Sequence, residues 1–139
     1  MSSVSRSPAT VPRRWPHAGR GQRPLLGATF MVMFGSFLPW VDTAAGSVSG
    51  GRGAGLWTFY AATLGLAGSL VTNRLLATVQ ALLLAVVAIG LPTWQVVHLV
   101  DLVGRSGWAP GPGLVLTFGG GVLAASAAYS LWGERASRP

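Results

Sequence analysis

The chain has 139 residues, of which half are hydrophobic and only 9% are charged. Soluble domains carry about 25% charged residues, so this chain lacks the polar side chains that would cover a soluble surface of its size. Its hydrophobic residues fall in long blocks, and the sequence therefore predicts an integral membrane protein with a single domain. Because the chain has no cysteine, disulfides, thiolate metal sites and thiol redox chemistry are excluded.

The N-terminal segment, residues 1–23, is rich in Ser, Pro and Arg and has no hydrophobic periodicity. Its three prolines would interrupt a helix, so we predict a disordered cytoplasmic tail. All ten basic residues of the chain are arginines, and five of them lie in this tail. We interpret the basic tail as a retention signal that contacts anionic lipid headgroups, and we expect no nucleic-acid binding despite the net charge of +7.

Four hydrophobic blocks follow the tail, each close to the roughly 20 residues that a spanning helix requires. Backbone groups in lipid must be hydrogen-bonded internally, and the blocks lack the alternation of strands, so we predict an all-α membrane protein without strands. The predicted spans form a small four-helix bundle and cover residues 24–41, 55–71, 75–100 and 113–132. They make up a transmembrane domain over residues 24–133, and residues 134–139 form a cytoplasmic C-terminal tail.

The first hydrophobic block has two interpretations. A basic N-terminus followed by an apolar run and small residues is also the pattern of a cleaved signal peptide, and cleavage after Ala45 would fit it. We favour a first spanning helix, since three further blocks follow and Pro39 and Trp40 mark a membrane exit. Cleavage remains an open alternative.

The arginines predict the orientation of the chain in the membrane. Eight lie on the side that holds both termini, and only Arg52 and Arg105 lie on the other side. This bias predicts a multi-pass protein of a bacterial plasma membrane with both termini in the cytoplasm. Aromatic residues expected at the membrane interfaces are Trp40, Trp57, Trp94 and Trp108 on the outer side and Tyr129 and Trp132 on the inner side.

The short connection at residues 72–74 predicts that the second and third spans are antiparallel neighbours. The outer loops are longer and rich in glycine, and we expect them to be mobile. Gly90 and Pro92 interrupt the third span and predict a kink, which would be either a functional gate or inert.

Small residues recur at helical spacing in two spans, which lets helix backbones approach closely in lipid. We favour packing within the bundle as their role, with a dimerisation face as the alternative. The residues are Ala61, Gly65 and Ser69 in the second span and Gly120, Ala124 and Ala128 in the fourth.

The candidate site for chemistry is a polar cluster of Asp42, His98 and Asp101 at the outer ends of the first and third spans. Two carboxylates and an imidazole could bind a cation or relay a proton. The alternative is three interfacial polar residues that pair with Arg52 and Arg105. The sequence offers no catalytic constellation, cofactor motif or convincing metal site, and we predict that the protein is not an enzyme.

Two boundary motifs resemble a known group of proteins. "GSFLPWV" (35–41), followed by a glycine-rich loop, and "APGPGLVLTFGGGVL" (109–123) are similar to segments of small, uncharacterised four-span actinobacterial membrane proteins, whose first helix ends in Leu-Pro-Trp and whose last begins with Gly-Pro-Gly-Leu/Ile. The resemblance implies four spans and a bacterial plasma membrane, and it carries over no site residue.

The predicted function is a non-enzymatic accessory or interaction subunit in the lipid bilayer, with a membrane-protein partner or a second copy of the chain. The alternative is a small transporter or channel-like protein with a polar outer vestibule at Asp42, His98 and Asp101. Small multidrug exporters also have four short helices, but they depend on a Glu embedded in the first, and residues 24–41 contain none.

Overall fold

The computed structural model describes residues 21–137, and these form four helices and one small sheet. The helices are α1 (Gln22–Phe37), α2 (Ala54–Leu70), α3 (Arg74–Val103) and α4 (Pro112–Ala136). The strands are β1 (Pro39–Thr43), β2 (Gly46–Ser49) and β3 (Trp108–Pro110), and a short 3-10 turn covers Gly50–Arg52. The helices alternate in direction, and α1 and α3 each pack against both α2 and α4 to form a closed bundle.

Local sequence explains where the helices begin and end. Leu38 precedes a proline and is extended (φ −71°, ψ 163°), so α1 stops at Phe37. Asn73 caps α3, because its Oδ1 accepts the backbone N–H of Leu75 at 3.1 Å. Pro112 begins α4, a position where its missing N–H has no cost. As the short 72–74 connection predicts, α2 and α3 are packed neighbours.

The centre of the bundle is built mainly from small residues. Alanines and glycines at helical spacing face inward, and the larger buried side chains are few. The buried hydrophobic core consists of Leu25, Ala28 and Val32 of α1, Ala61 and Ala62 of α2, Ala77, Ala81, Leu84, Ala85 and Ala88 of α3, and Ala124, Ala127, Ala128 and Leu131 of α4. Small side chains let the helix axes approach closely, so the bundle is narrow.

Large apolar side chains lie on the outside of all four helices. Phe34, Tyr60, Val86 and Trp132 are each more than half exposed, one on every helix. This distribution is the reverse of a water-soluble domain, in which large apolar residues fill the core.

Two helices, α3 and α4, are long and apolar enough to cross a membrane. Only 39% and 44% of their apolar windows are buried inside the protein, so much of the apolar surface of both helices is exposed. The helices α1 and α2 have 16 and 17 residues and fall short of the length that a full crossing requires. The prediction of a mostly helical protein is thus confirmed, and two of its four helices are candidate membrane spans.

The prediction that strands are absent is wrong. The strands form an antiparallel sheet in the order β2-β1-β3 at the end of the bundle where α1 ends and α2 and α4 begin. The strands β2 and β3 form between the predicted spans, and β1 begins inside the first one, at Pro39. The two loops that were expected to be mobile thus contain paired backbone, at residues 42–43 and 46–49 in the first and 108–110 in the second. Gly46, with φ 127°, closes the β1–β2 hairpin.

Several predicted boundaries also need correction. The first span was expected to reach residue 41, but Pro39 and the residues after it form β1. Most of the predicted disordered tail (1–23) lies outside the described residues, yet Gln22 and Arg23 belong to α1. The helix α4 continues to Ala136, so the predicted C-terminal tail begins as helix. The helix α3 is continuous through Pro92, which is buried.

Candidate functional site

The three residues of the predicted polar cluster are all exposed. Asp42 lies on the central strand β1, opposite Ser47 of β2 and Ala109 of β3. His98 stacks on Trp94 of the preceding helical turn, with ring centroids 5.1 Å apart and an interplanar angle of 5°. Asp101 lies one turn later on α3.

The structure does not join these residues into a metal site. Within residues 21–137, no group of three or more His, Asp or Glu side chains is arranged to hold a metal ion. Nor does Asp42 or Asp101 form an ion pair with Arg52 or Arg105; the salt bridge of the described chain joins Arg74 and Glu134, at the opposite end of the bundle. Among the described residues, Asp42, His98 and Asp101 therefore form neither a metal-holding group nor the expected ion pairs.

The predicted helix-packing residues face other helices of the same chain. Five of the six are buried, and Ser69 is half-buried with its hydroxyl donating to the carbonyl of Leu66 at 2.7 Å. A Cβ at Gly65 would lie 2.5 Å from Cδ2 of Leu84 on α3 and 2.8 Å from Oγ1 of Thr29 on α1. These surfaces are occupied inside the bundle.

The sequence analysis missed the structural role of Trp40. It was predicted to lie at the membrane interface, but it is only 3% exposed. Its Nε1–H donates to the carbonyl of Gly35 at 2.8 Å, and its own carbonyl accepts the N–H of Gly111 at 2.7 Å. Trp40 thus joins the end of α1 to the start of α4. The glycines near Trp40 in the sequence were the pattern from which a close-packed site could have been predicted.

The backbone at Gly50 and Gly111 packs so closely against Trp40 and its neighbours that neither position has space for a Cβ. A Cβ at Gly50 would lie under 3.0 Å from Trp40 and from the carbonyl oxygen of Ser36. A Cβ at Gly111 would collide in the same way with the carbonyl of Pro39. Packing around Trp40 therefore requires glycine at positions 50 and 111, whereas Gly53, Gly104 and Gly107 have open space where a Cβ would lie.

Beside Trp40, the interior holds buried hydroxyl groups. Ser36 Oγ lies 2.7 Å from Oγ1 of Thr58 and 2.6 Å from the carbonyl oxygen of Val32, and Thr58 Oγ1 lies 2.8 Å from the carbonyl oxygen of Gly55. The two hydroxyl protons can make two of these three contacts at a time, and every partner lies on α1 or α2. Thr117 of α4, also fully buried, has an Oγ1 without a hydrogen-bond partner.

Two of the apolar grooves on the outside of the bundle lie along α2. The α2/α3 groove has a volume of about 460 Å³ and is lined by Trp57, Tyr60, Ala61, Leu64, Val87 and Leu91. The α1/α2 groove is smaller, about 170 Å³, and is lined by Phe30, Met33, Phe34, Phe37 and Phe59. Because their walls are aromatic and aliphatic, these grooves suit apolar occupants.

Comparison with protein-family models, with curated proteins and with solved structures finds no match to this chain. The resemblance of its boundary motifs to small four-span membrane proteins therefore stays a prediction. The geometry of the bundle, its sheet and its grooves is therefore the basis for assigning a function.

Proposed function

We propose that this chain is a multi-pass protein of a bacterial plasma membrane, with all four helices in the bilayer, both termini cytoplasmic, and a non-enzymatic role as an accessory or interaction subunit. The observation that carries the proposal is the exposure of large apolar side chains on every helix around a core of small residues. Such a surface is stable in lipid and costly in water.

The hydroxyl groups of the helices support a lipid environment. Even exposed hydroxyls donate to carbonyls of their own helix, such as Thr63 to Tyr60 at 2.6 Å and Thr93 to Ile89 at 2.7 Å. In water these groups would have solvent as a partner, whereas in lipid they must be satisfied within the chain.

The sheet explains how the two shorter helices, α1 and α2, fit into the thickness of the bilayer. At about 1.5 Å per residue, α1 and α2 extend roughly 24 to 26 Å, less than the hydrocarbon thickness of about 30 Å. Non-helical backbone is tolerated at membrane depth only where it is hydrogen-bonded by protein. The strand β1, which continues α1, is paired on both sides, by β2 and by β3.

The α2/α3 groove is the surface that we assign to partner contact. It is the larger of the two grooves, and Trp57 and Tyr60 on its wall are 69% and 61% exposed. Aromatic side chains contribute most to association per residue, since they bury a large rigid area at low entropic cost.

Capture of the partner tests this assignment. The protein should stay in the membrane pellet after an alkaline carbonate wash. Crosslinking in native membranes followed by mass spectrometry should then recover a stoichiometric membrane partner. Leu64→Trp fills the groove and should reduce that recovery severalfold, whereas Leu56→Trp should not. The two leucines are matched, both on α2 and 45% and 44% exposed, and Leu56 lies outside the groove.

Two results would contradict the proposal. Release of the chain by the carbonate wash would remove the membrane assignment. Recovery of the chain alone, or equal loss of the partner in both tryptophan variants, would remove the interaction role of the groove.

A further inference from the structure

Arg52 lies at the outer end of the bundle without an acidic partner in residues 21–137. It ends the 3-10 turn Gly50–Arg52 and lines a small cavity of about 290 Å³ together with Ser47, Val48 and Ser49 of β2. The cavity therefore presents a guanidinium and two hydroxyl groups, which are suited to the oxygens of a phosphate.

The same turn adjoins the α1/α2 groove. It packs against both α1 and α2. A Cβ at Gly51 would lie 3.8 Å from Cδ1 of Phe37, an ordinary contact distance. Phe37 in turn contacts Phe59 edge to face, with centroids 5.2 Å apart, and both rings line the groove. The 3-10 turn that contributes Arg52 to the cationic, hydroxyl-lined cavity thus packs beside Phe37, one of the aromatic residues of the groove.

From this arrangement we infer a binding site for one anionic phospholipid of the outer leaflet. Its phosphate would lie against Arg52, and one acyl chain would occupy the α1/α2 groove. This inference rests on the membrane insertion proposed above.

The shape and charge of the site favour a lipid over a helix of a partner protein. A helix with its side chains is about 10 Å across, too wide for a groove of about 170 Å³, whereas an acyl chain is narrow and flexible. The site is also cationic at one end and apolar along the rest, which matches the polarity of a phospholipid.

Lipid retention in nanodiscs tests the site. The full chain is incorporated into phosphatidylcholine nanodiscs that contain increasing fractions of phosphatidylglycerol, released into mild detergent and weighed by native mass spectrometry. Wild type should retain one phosphatidylglycerol in preference to phosphatidylcholine. Arg52→Gln should reduce the retained fraction about fivefold, as expected for one arginine at a membrane surface, and Arg52→Lys should keep most of it.

Arg105→Gln is the matched control. Arg105 is the other arginine on the outer side, it is also exposed and without an acidic partner in the described chain, and it lines neither the cavity nor the groove. This variant should retain the lipid as wild type does. Circular dichroism of each variant checks that the helices are intact.

Four outcomes separate the possibilities. Equal retention by wild type and Arg52→Gln, or no preference between headgroups, overturns the lipid site and leaves the membrane proposal standing. Displacement of the lipid by inorganic phosphate would indicate a free-anion site and also overturn it. Failure of the wild-type chain to enter nanodiscs would remove both proposals.

Discussion

At the scale of single residues, Trp40 is the side chain on which the outer end of the bundle depends. It is buried, its indole N–H is bonded to Gly35, and its backbone is held by Gly111. The hydrogen bond between Trp40 and Gly35 satisfies both the buried indole N–H and the carbonyl of Gly35. Removal of the indole N–H leaves that carbonyl without this partner. Trp57, in contrast, is 69% exposed.

Trp40→Phe should therefore destabilise the protein. It removes the hydrogen bond to Gly35 and part of the packing, and an unsatisfied buried carbonyl costs about 1–3 kcal/mol. Thermal unfolding in detergent, followed by circular dichroism, measures the change. Trp57→Phe is the control and should shift the midpoint little. Equal midpoints for the two variants would show that the Trp40 bond contributes nothing.

At the scale of the elements, α4 owes its close contacts to a run of three glycines, Gly119–Gly121. Consecutive residues of a helix point in different directions, so an added Cβ would meet different neighbours at each of these glycines. A Cβ at Gly121 would lie 2.8 Å from Cγ1 of Ile89 and 3.0 Å from the carbonyl carbon of Ala88 on α3. A Cβ at Gly119 would meet only Cε of Met31, at 3.5 Å.

The glycine run provides a matched pair of substitutions on one helix. Gly121→Ala forces α4 away from the backbone of α3 and should cost about 1–3 kcal/mol. Gly119→Ala makes an ordinary contact and gains helix propensity, so it should be neutral or slightly stabilising. Unfolding by denaturant in a fixed detergent measures both. Destabilisation of the same size in the two variants would mean that the α3–α4 contact is looser than described.

At the scale of the whole molecule, the sheet and the bundle depend on each other. One residue, Leu38, separates α1 from β1, and one residue, Gly111, separates β3 from α4. Pairing of β1 with β3 therefore brings the end of one helix to the start of another. The Arg74–Glu134 ion pair joins α3 and α4 at the opposite end. Both ends of the bundle are therefore closed by contacts between distant parts of the chain.

The proposed four crossings predict which positions share a side of the membrane. Because the chain has no native cysteine, single cysteines can be introduced without background. Ala44→Cys in the hairpin should react with a membrane-impermeant maleimide on intact cells, whereas Thr72→Cys and Ser137→Cys should react only after permeabilisation. All three positions are exposed. If only α3 and α4 crossed the membrane, position 44 would react on the same side as positions 72 and 137.

The sequence was informative wherever neighbouring residues determine the structure. The apolar blocks located all four helices, the 72–74 turn predicted the α2–α3 pair, and low charge predicted a surface unlike that of a soluble protein. Helix ends were placed less well, because extended residues such as Pro39–Val41 are as apolar as the helix before them. Cation binding by Asp42, His98 and Asp101 needed a metal-holding group of side chains, and the described chain contains none.

What the sequence determined by itself is the helical, apolar character of the chain, since hydrophobic block length and proline and glycine positions act over a few neighbouring residues. Only the tertiary structure decided the rest: that Trp40 is buried, that β1 pairs with both β2 and β3, and that the turn carrying Arg52 packs against α1 and α2. These features depend on contacts between residues far apart in the chain, and such contacts exist only once the helices have packed.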